Sequence, residues 1–123
     1  MKWAKLDGVA AENYLLYVVM MWVVAPYSNR PVDHFLKRVL GYERGLGGDP
    51  GWEIEWLSDM PDGDHFRVWA DKDISCLDHE ESVYDGKTFY TAIRETLLAY
   101  AVAHPHRAAE IAEVIRHYGF DLI

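Results

Sequence analysis

The run Tyr14 to Tyr27, YLLYVVMMWVVAPY, is apolar on every side and limits what this chain can fold into more than any other stretch. Twelve residues precede Pro26, too few to cross a bilayer, which takes about 20. A secretory signal is the next reading, because Met1, Lys2 and Lys5 form a basic start and Val23-Val24-Ala25 imitates a cleavage site. Asp7 and Glu12 interrupt that basic region, however, and Pro26 follows the would-be cut, where it hinders processing. The run therefore reads as an element buried on all faces. Val18, Val19, Val23 and Val24 suit a strand as well as a helix, and periodicity does not separate the two. Length favours a helix, beginning near Asp7 or Gly8 and stopped before Pro26, whose ring excludes helical geometry from the residue ahead of it.

A core can form around this element without staples. The chain has 123 residues, half of them hydrophobic, with five Trp and eight Tyr as bulky packing material, which is enough for one domain spanning residues 1–123. Its single cysteine, Cys76, forms no internal disulfide, and a cytoplasmic location follows as the expectation. Cys76 sits within an apolar alternation and reads as a small buried residue rather than a catalytic thiol.

Net charge is −8, which opposes direct binding to nucleic acid, whose phosphates require Lys and Arg. The charge is also unevenly placed. Between Asp49 and Asp85 stand twelve acidic residues against Arg67 and Lys72, whereas the rest of the chain carries ten basic and eight acidic residues. A solvated surface accounts for acidity but not for its confinement to one segment.

Taken in order, the chain next offers Pro31 as the first residue of a second helix, in which Val32, Phe35, Leu36, Val39 and Leu40 repeat at helical spacing. Gly41 or Gly45 ends it, and Gly45 to Gly51 reads as a loop. No lysine or helix start follows these glycines, so a phosphate loop is excluded. From Trp52 the period becomes two. In WEIEWL and HFRVWA, Trp52, Ile54, Trp56 and Phe66, Val68, Ala70 alternate with Glu53, Glu55 and His65, Arg67, Trp69, the pattern of two half-buried strands. Met60-Pro61-Asp62-Gly63 supplies a turn, so the pair is an antiparallel hairpin. Setting Trp56 opposite Phe66 puts Ile54 against Val68 on the core side, and Glu55 against Arg67 and Glu53 against Trp69 on the other.

The same alternation extends to a third strand, Ile74 to Leu77, if Asp71-Lys72-Asp73 turns the chain, and leaves Leu77 to Tyr84 as a polar loop with Ser82 to Tyr84 partly extended. Asp85 is placed to cap a helix from about Gly86 to His104, and Pro105 starts another that Gly119 ends. The fold class expected is α+β: two N-terminal helices, a three-stranded antiparallel meander, and two C-terminal helices packed on one sheet face. Val18, Met21, Trp22, Phe35, Val39, Ile54, Trp56, Val68, Phe89, Ile93, Leu97, Ile111 and Ile115 should share its core.

Chemical motifs are sparse. Of the six histidines, His104 and His106 are closest, but their spacing at a helix start converges poorly on one ion and no partner Cys/His pair exists. Asp59, Asp62 and Asp64 lie near Gly63 without the twelve-residue calcium loop and its closing glutamate. Ser58, Asp64 and His65 lack an elbow or oxyanion hole, and Glu53 and Glu55, about 7 Å apart by strand rise, sit on an open face where water keeps both ionised. Neither an enzyme nor a cofactor is indicated. A small-molecule pocket lined by Trp22, Trp52 and Trp56 is a separate possibility.

A protein-binding surface fits the residues better. Glu53, Glu55, Asp59, Asp62, Asp64, Asp71 and Asp73 with Trp69 combine charge that steers a basic partner and an aromatic anchor that holds it. In size, in acidity, and in the closing pattern TFYTAIRETLLAYAVAHPHRAAEIAEVIRHYG after a Trp-rich acidic meander, the chain resembles the immunity proteins that bacteria pair with secreted toxins in contact-dependent inhibition and related polymorphic-toxin systems. That resemblance implies a cytoplasmic protein without catalysis of its own, bound tightly to the active domain of a cognate toxin, often a nuclease and therefore basic. An acidic phage- or plasmid-borne inhibitor of a nucleic-acid-binding protein would use the same physics.

Overall fold

The computed structural model describes residues 2–24, 30–41, 45–48, 51–57 and 60–122, the side chains of 45–48 excepted. The apolar run is a helix, α1 (Tyr14–Val24), entered through a single 3-10 turn at Ala11–Asn13 and so beginning after the expected start near Asp7 or Gly8. The expected stop at Pro26 lies outside the described residues. Leu15, Leu16, Val19, Met20, Val23 and Val24 are wholly buried. Tyr14, Val18, Met21 and Trp22 are half-buried, so one strip of the helix is only partly covered. The N-terminal side of the next helix is a turn rather than helix, and α2 is short (Leu36–Leu40). At its end Gly41 is required, because a Cβ there would stand 2.4 Å from the Lys37 carbonyl oxygen.

Four antiparallel strands follow in the spatial order β1-β2-β3-β4: β1 (Gly45–Gly48), β2 (Trp52–Leu57), β3 (His65–Ala70) and β4 (Glu81–Asp85). The β2–β3 hairpin has the register expected from its alternation, with Trp56 opposite Phe66, Ile54 opposite Val68, Glu55 opposite Arg67 and Glu53 opposite Trp69. The glycine segment read as a loop is instead an edge strand, Gly45 pairing with Glu55 and Gly48 with Trp52. Main-chain bonds make that pairing, and glycines carry no alternation by which to announce it.

The third strand of the meander also lies elsewhere than expected. Residues Lys72–Ser75 form one helical turn, α3, capped by the Asp71 carboxylate, which accepts from the Asp73 amide at 2.9 Å. Cys76 ends the turn in the left-handed region with φ 63, and both it and Ile74, 40% exposed, face solvent rather than the core. A short polar side chain that bonds its own backbone two residues on competes with strand formation, and here it prevails. β4 takes the strand's place, Val68 pairing with Ser82 and Phe66 with Tyr84.

Helices α4 (Gly86–Ala103) and α5 (Ala108–Tyr118) lie where expected, with Asp85 as N-cap and Gly119 at φ 74 as the left-handed stop, although Pro105 opens a 3-10 turn, Pro105–Arg107, and α5 itself begins three residues later. Helices α1 and α4 pack on each other and on β3, and α5 packs on α4, so the helices collect on one sheet face. The class is α+β. Phe66 and Phe89 stack at 3.8 Å and 8° where sheet meets helix. Val39, Ile54, Val68, Phe89, Ile93, Leu97 and Ile111 are buried as expected, and Trp22, Phe35, Trp56 and Ile115 pack against that core from its margin. Val18 and Met21 do not belong to it, since they stand on the half-covered strip of α1.

The backbone before α2 is fastened to α5. Arg107 Nη2 donates to the Arg30 carbonyl at 2.6 Å, the Val32 amide donates to Glu110 Oε2 at 2.7 Å, and the Tyr118 hydroxyl donates to Asp33 Oδ2 at 3.1 Å.

Phe89→Ala should cost about 3–5 kcal/mol by urea unfolding, the range for a large buried aromatic; an unchanged midpoint would displace Phe89 from the helix–sheet contact. The cap is testable through pH. Asp85 Oδ1 accepts from the Thr88 amide at 2.8 Å, and this bond, above all, holds its carboxyl below the usual range. Asp85→Ala should lose about 1 kcal/mol at neutral pH. A lowered folded pKa gives stability that is present above the unfolded value, about 3.9, and disappears as pH falls through the folded one. The unfolding midpoints of parent and variant should therefore converge in acid.

Candidate functional site

Among the described residues no helix packs on the sheet's second face. Strand alternation and the observed register place Glu53 and Glu55 from β2, His65, Arg67 and Trp69 from β3, and Glu81, Val83 and Asp85 from β4 on it. Two rows cross the strands: Glu53, Trp69 and Glu81 form one, and Glu55, Arg67 and Val83 the next. Directly paired residues on one face stand about 5 Å apart between Cβ atoms, so a long side chain in the second row reaches the acids of the first.

Arg67 does so. Its Nε donates to Glu55 Oε1 at 3.1 Å, its Nη1 to Glu81 Oε1 at 2.7 Å, and its Nη2 to Glu53 Oε1. The hydrogen bonds to Glu55 and Glu81 raise the Arg67 pKa further above its usual value, so the guanidinium stays charged. Three carboxylates on one cation leave the cluster negative, with each acid about half exposed while Arg67 is largely covered. The planar five-donor guanidinium fixes carboxylate positions as a lysine would not. Trp69 lies between Glu53 and Glu81, half-buried, beside this clamp.

The remaining acids flank the two ends of β3, roughly 20 Å apart by strand rise. Asp71 and Asp73 stand at the start of α3, Asp71 engaged in the cap and Asp73 exposed. At the other end Asp62 is exposed, while Asp64 accepts from Trp56 Nε1 at 3.0 Å and from the Tyr90 hydroxyl at 3.3 Å. Asp59 lies outside the described residues. Glu53, Glu55 and Trp69 thus share one face, Asp62, Asp71 and Asp73 stand at the two ends of β3, and the Asp64 carboxylate is turned to the helix side, held by Trp56 and Tyr90. Sequence reading missed Glu81 and Val83, the latter 47% exposed. Their alternation ran through ESVYD, but an outward valine between acids hid the strand.

Of the tryptophans considered as pocket lining, Trp52 is buried with its ring 6.2 Å from Phe35, Trp22 and Trp56 lie half-buried at the core margin, and the Trp56 indole is bonded to Asp64. Among the described residues no group of three or more His, Cys, Asp or Glu could hold a metal ion, and no helix is long and apolar enough to cross a membrane.

The clamp has a measurable signature. Arg67→Ala leaves three carboxylates facing one another across two strands, so stability should fall by about 1–2 kcal/mol at low ionic strength, from three pairs each worth up to ~1 kcal/mol. Molar salt should shrink the deficit by screening the repulsion; a deficit independent of salt would mean that Arg67 acts by packing alone. No protein-family model, curated protein or solved structure matches this chain.

Proposed function

We propose that this protein is an immunity-type inhibitor that acts in the cytoplasm, binding a basic toxin domain through the open sheet face and occluding its substrate groove without turnover. The observation that carries the reading is the Arg67-ordered triad of Glu53, Glu55 and Glu81 next to Trp69, on a face that none of the described helices covers. Carboxylates already fixed lose less conformational freedom on binding. The acids Asp62, Asp71 and Asp73 at the ends of β3 extend the negative field and steer the encounter, while the half-buried indole supplies contact area. A nuclease must present cations to hold phosphate, and its groove is the kind of surface this face complements.

Occlusion consumes one inhibitor per toxin. Co-expression with the products of neighbouring genes, followed by titration of the rescued toxin's activity, should reach full inhibition near one equivalent; protection far below one equivalent would identify an enzyme, and rescue from no neighbouring product would sink the reading. Within such a pair, Trp69→Ala should weaken affinity about thirtyfold or more, the range of an interface anchor. Asp73→Lys should chiefly slow association, and the parent's association rate should fall as salt rises.

A further inference from the structure

On the opposite side of the molecule, the N-terminal arm and the outer surface of α4 border an open groove of about 580 Å3, within the range of small-ligand sites. Trp3, Leu98, Ala99 and Val102 line it. Leu98 is 49% and Val102 83% exposed, one helical turn apart, where a merely solvated helix face would carry polar residues. Lys2 and Lys5 line the same groove, and among the described residues neither is in an ion pair. The lining carboxylate, Glu95, is engaged, accepting the Tyr17 hydroxyl at 2.6 Å.

The arm is held in place at some cost. Trp3 meets the Tyr100 ring edge-on at 4.9 Å, and the Lys5 amide closes a turn on the Lys2 carbonyl at 3.1 Å. Between them Ala4 has φ 64, a left-handed conformation that a residue with a Cβ avoids. Strain that persists is held by its surroundings and is often part of a site. Here the strained turn sets both lysines beside the apolar floor.

We propose that this groove binds a single-chain anionic amphiphile, a long-chain carboxylate, with its hydrocarbon along Trp3, Leu98 and Val102 and its head group at Lys2 and Lys5. Two unpaired cations beside an engaged carboxylate select a negative head group. A second copy of the chain fits less well, because a two-fold contact buries a patch against itself and sets the lysines of one copy near those of the other. The site is independent of the sheet face.

The test is calorimetric titration with dodecanoate below its micelle concentration, with octanoate and dodecyltrimethylammonium as comparators. Dodecanoate should bind one to one, and each methylene beyond octanoate should tighten binding about two- to fourfold as more apolar surface is buried. Val102→Asp, at an exposed position that leaves the core intact, should weaken dodecanoate about tenfold or more, and so should the double variant Lys2→Glu/Lys5→Glu. Equal affinity for the carboxylate and the ammonium compound would overturn the proposal, as would parent-like dodecanoate binding by both variants. Sedimentation revealing a dimer that Val102→Asp dissociates, with no dodecanoate bound, would give the groove to a second copy and overturn it equally.

Discussion

Burial of α1 is the constraint on which the rest depends. A helix apolar around most of its circumference must be covered on several sides at once, and α1 finds that cover in α4 and β3. These stabilising contacts come from residues far along the sequence. Leu15, Leu16, Val19 and Met20 share one buried cluster with Phe66, Val68, Phe89 and Leu97. Once α1 and α4 occupy one sheet face, the strand alternation leaves the other with Glu53, Glu55, Arg67, Trp69 and Glu81. The charged face is therefore a consequence of which side the helices take. A mixed α+β packing with one solvated sheet face permits this arrangement, and the acidic segment makes that face negative rather than merely polar.

Much of this was legible wherever side-chain period carried the information. The β2–β3 register followed from Ile54, Trp56, Phe66 and Val68, since a slip by one residue would send them all to solvent. Asp85 and Gly119 announced their helix ends by residue type. What escaped notice lacked a period or obeyed a stronger local rule. Gly45 to Gly48 pair through the backbone alone. Asp71 caps a turn and so cancels the strand that Ile74 and Cys76 imitate. At the candidate face the Glu55–Arg67 pairing was readable, but the third carboxylate was not, because Glu81 reaches Arg67 only after β4 takes its place beside β3.

Arg67 also alters the meaning of the charge. Counted along the sequence, the segment is a block of acids relieved by two cations; in the fold, one of those cations lies within reach of three glutamates on neighbouring strands. Like charges opposite one another weaken a sheet, and a guanidinium inserted among them converts the same residues into an ordered array. The acidity of this face is thus tolerated by the strand pairing that displays it.

The fastening of residues 30–33 to α5 has a consequence in time. Arg30 and Arg107 are 77 residues apart, and Val32 and Glu110 are 78 apart. Contacts of such separation require most of the chain to exist before any of them forms. During synthesis, at about 5–20 residues per second, α1 emerges several seconds before α4 and α5 and has no partner to bury it. In that interval its leucines, valines and methionines are exposed apolar surface, and the packing of α4 on α1 ends that exposure.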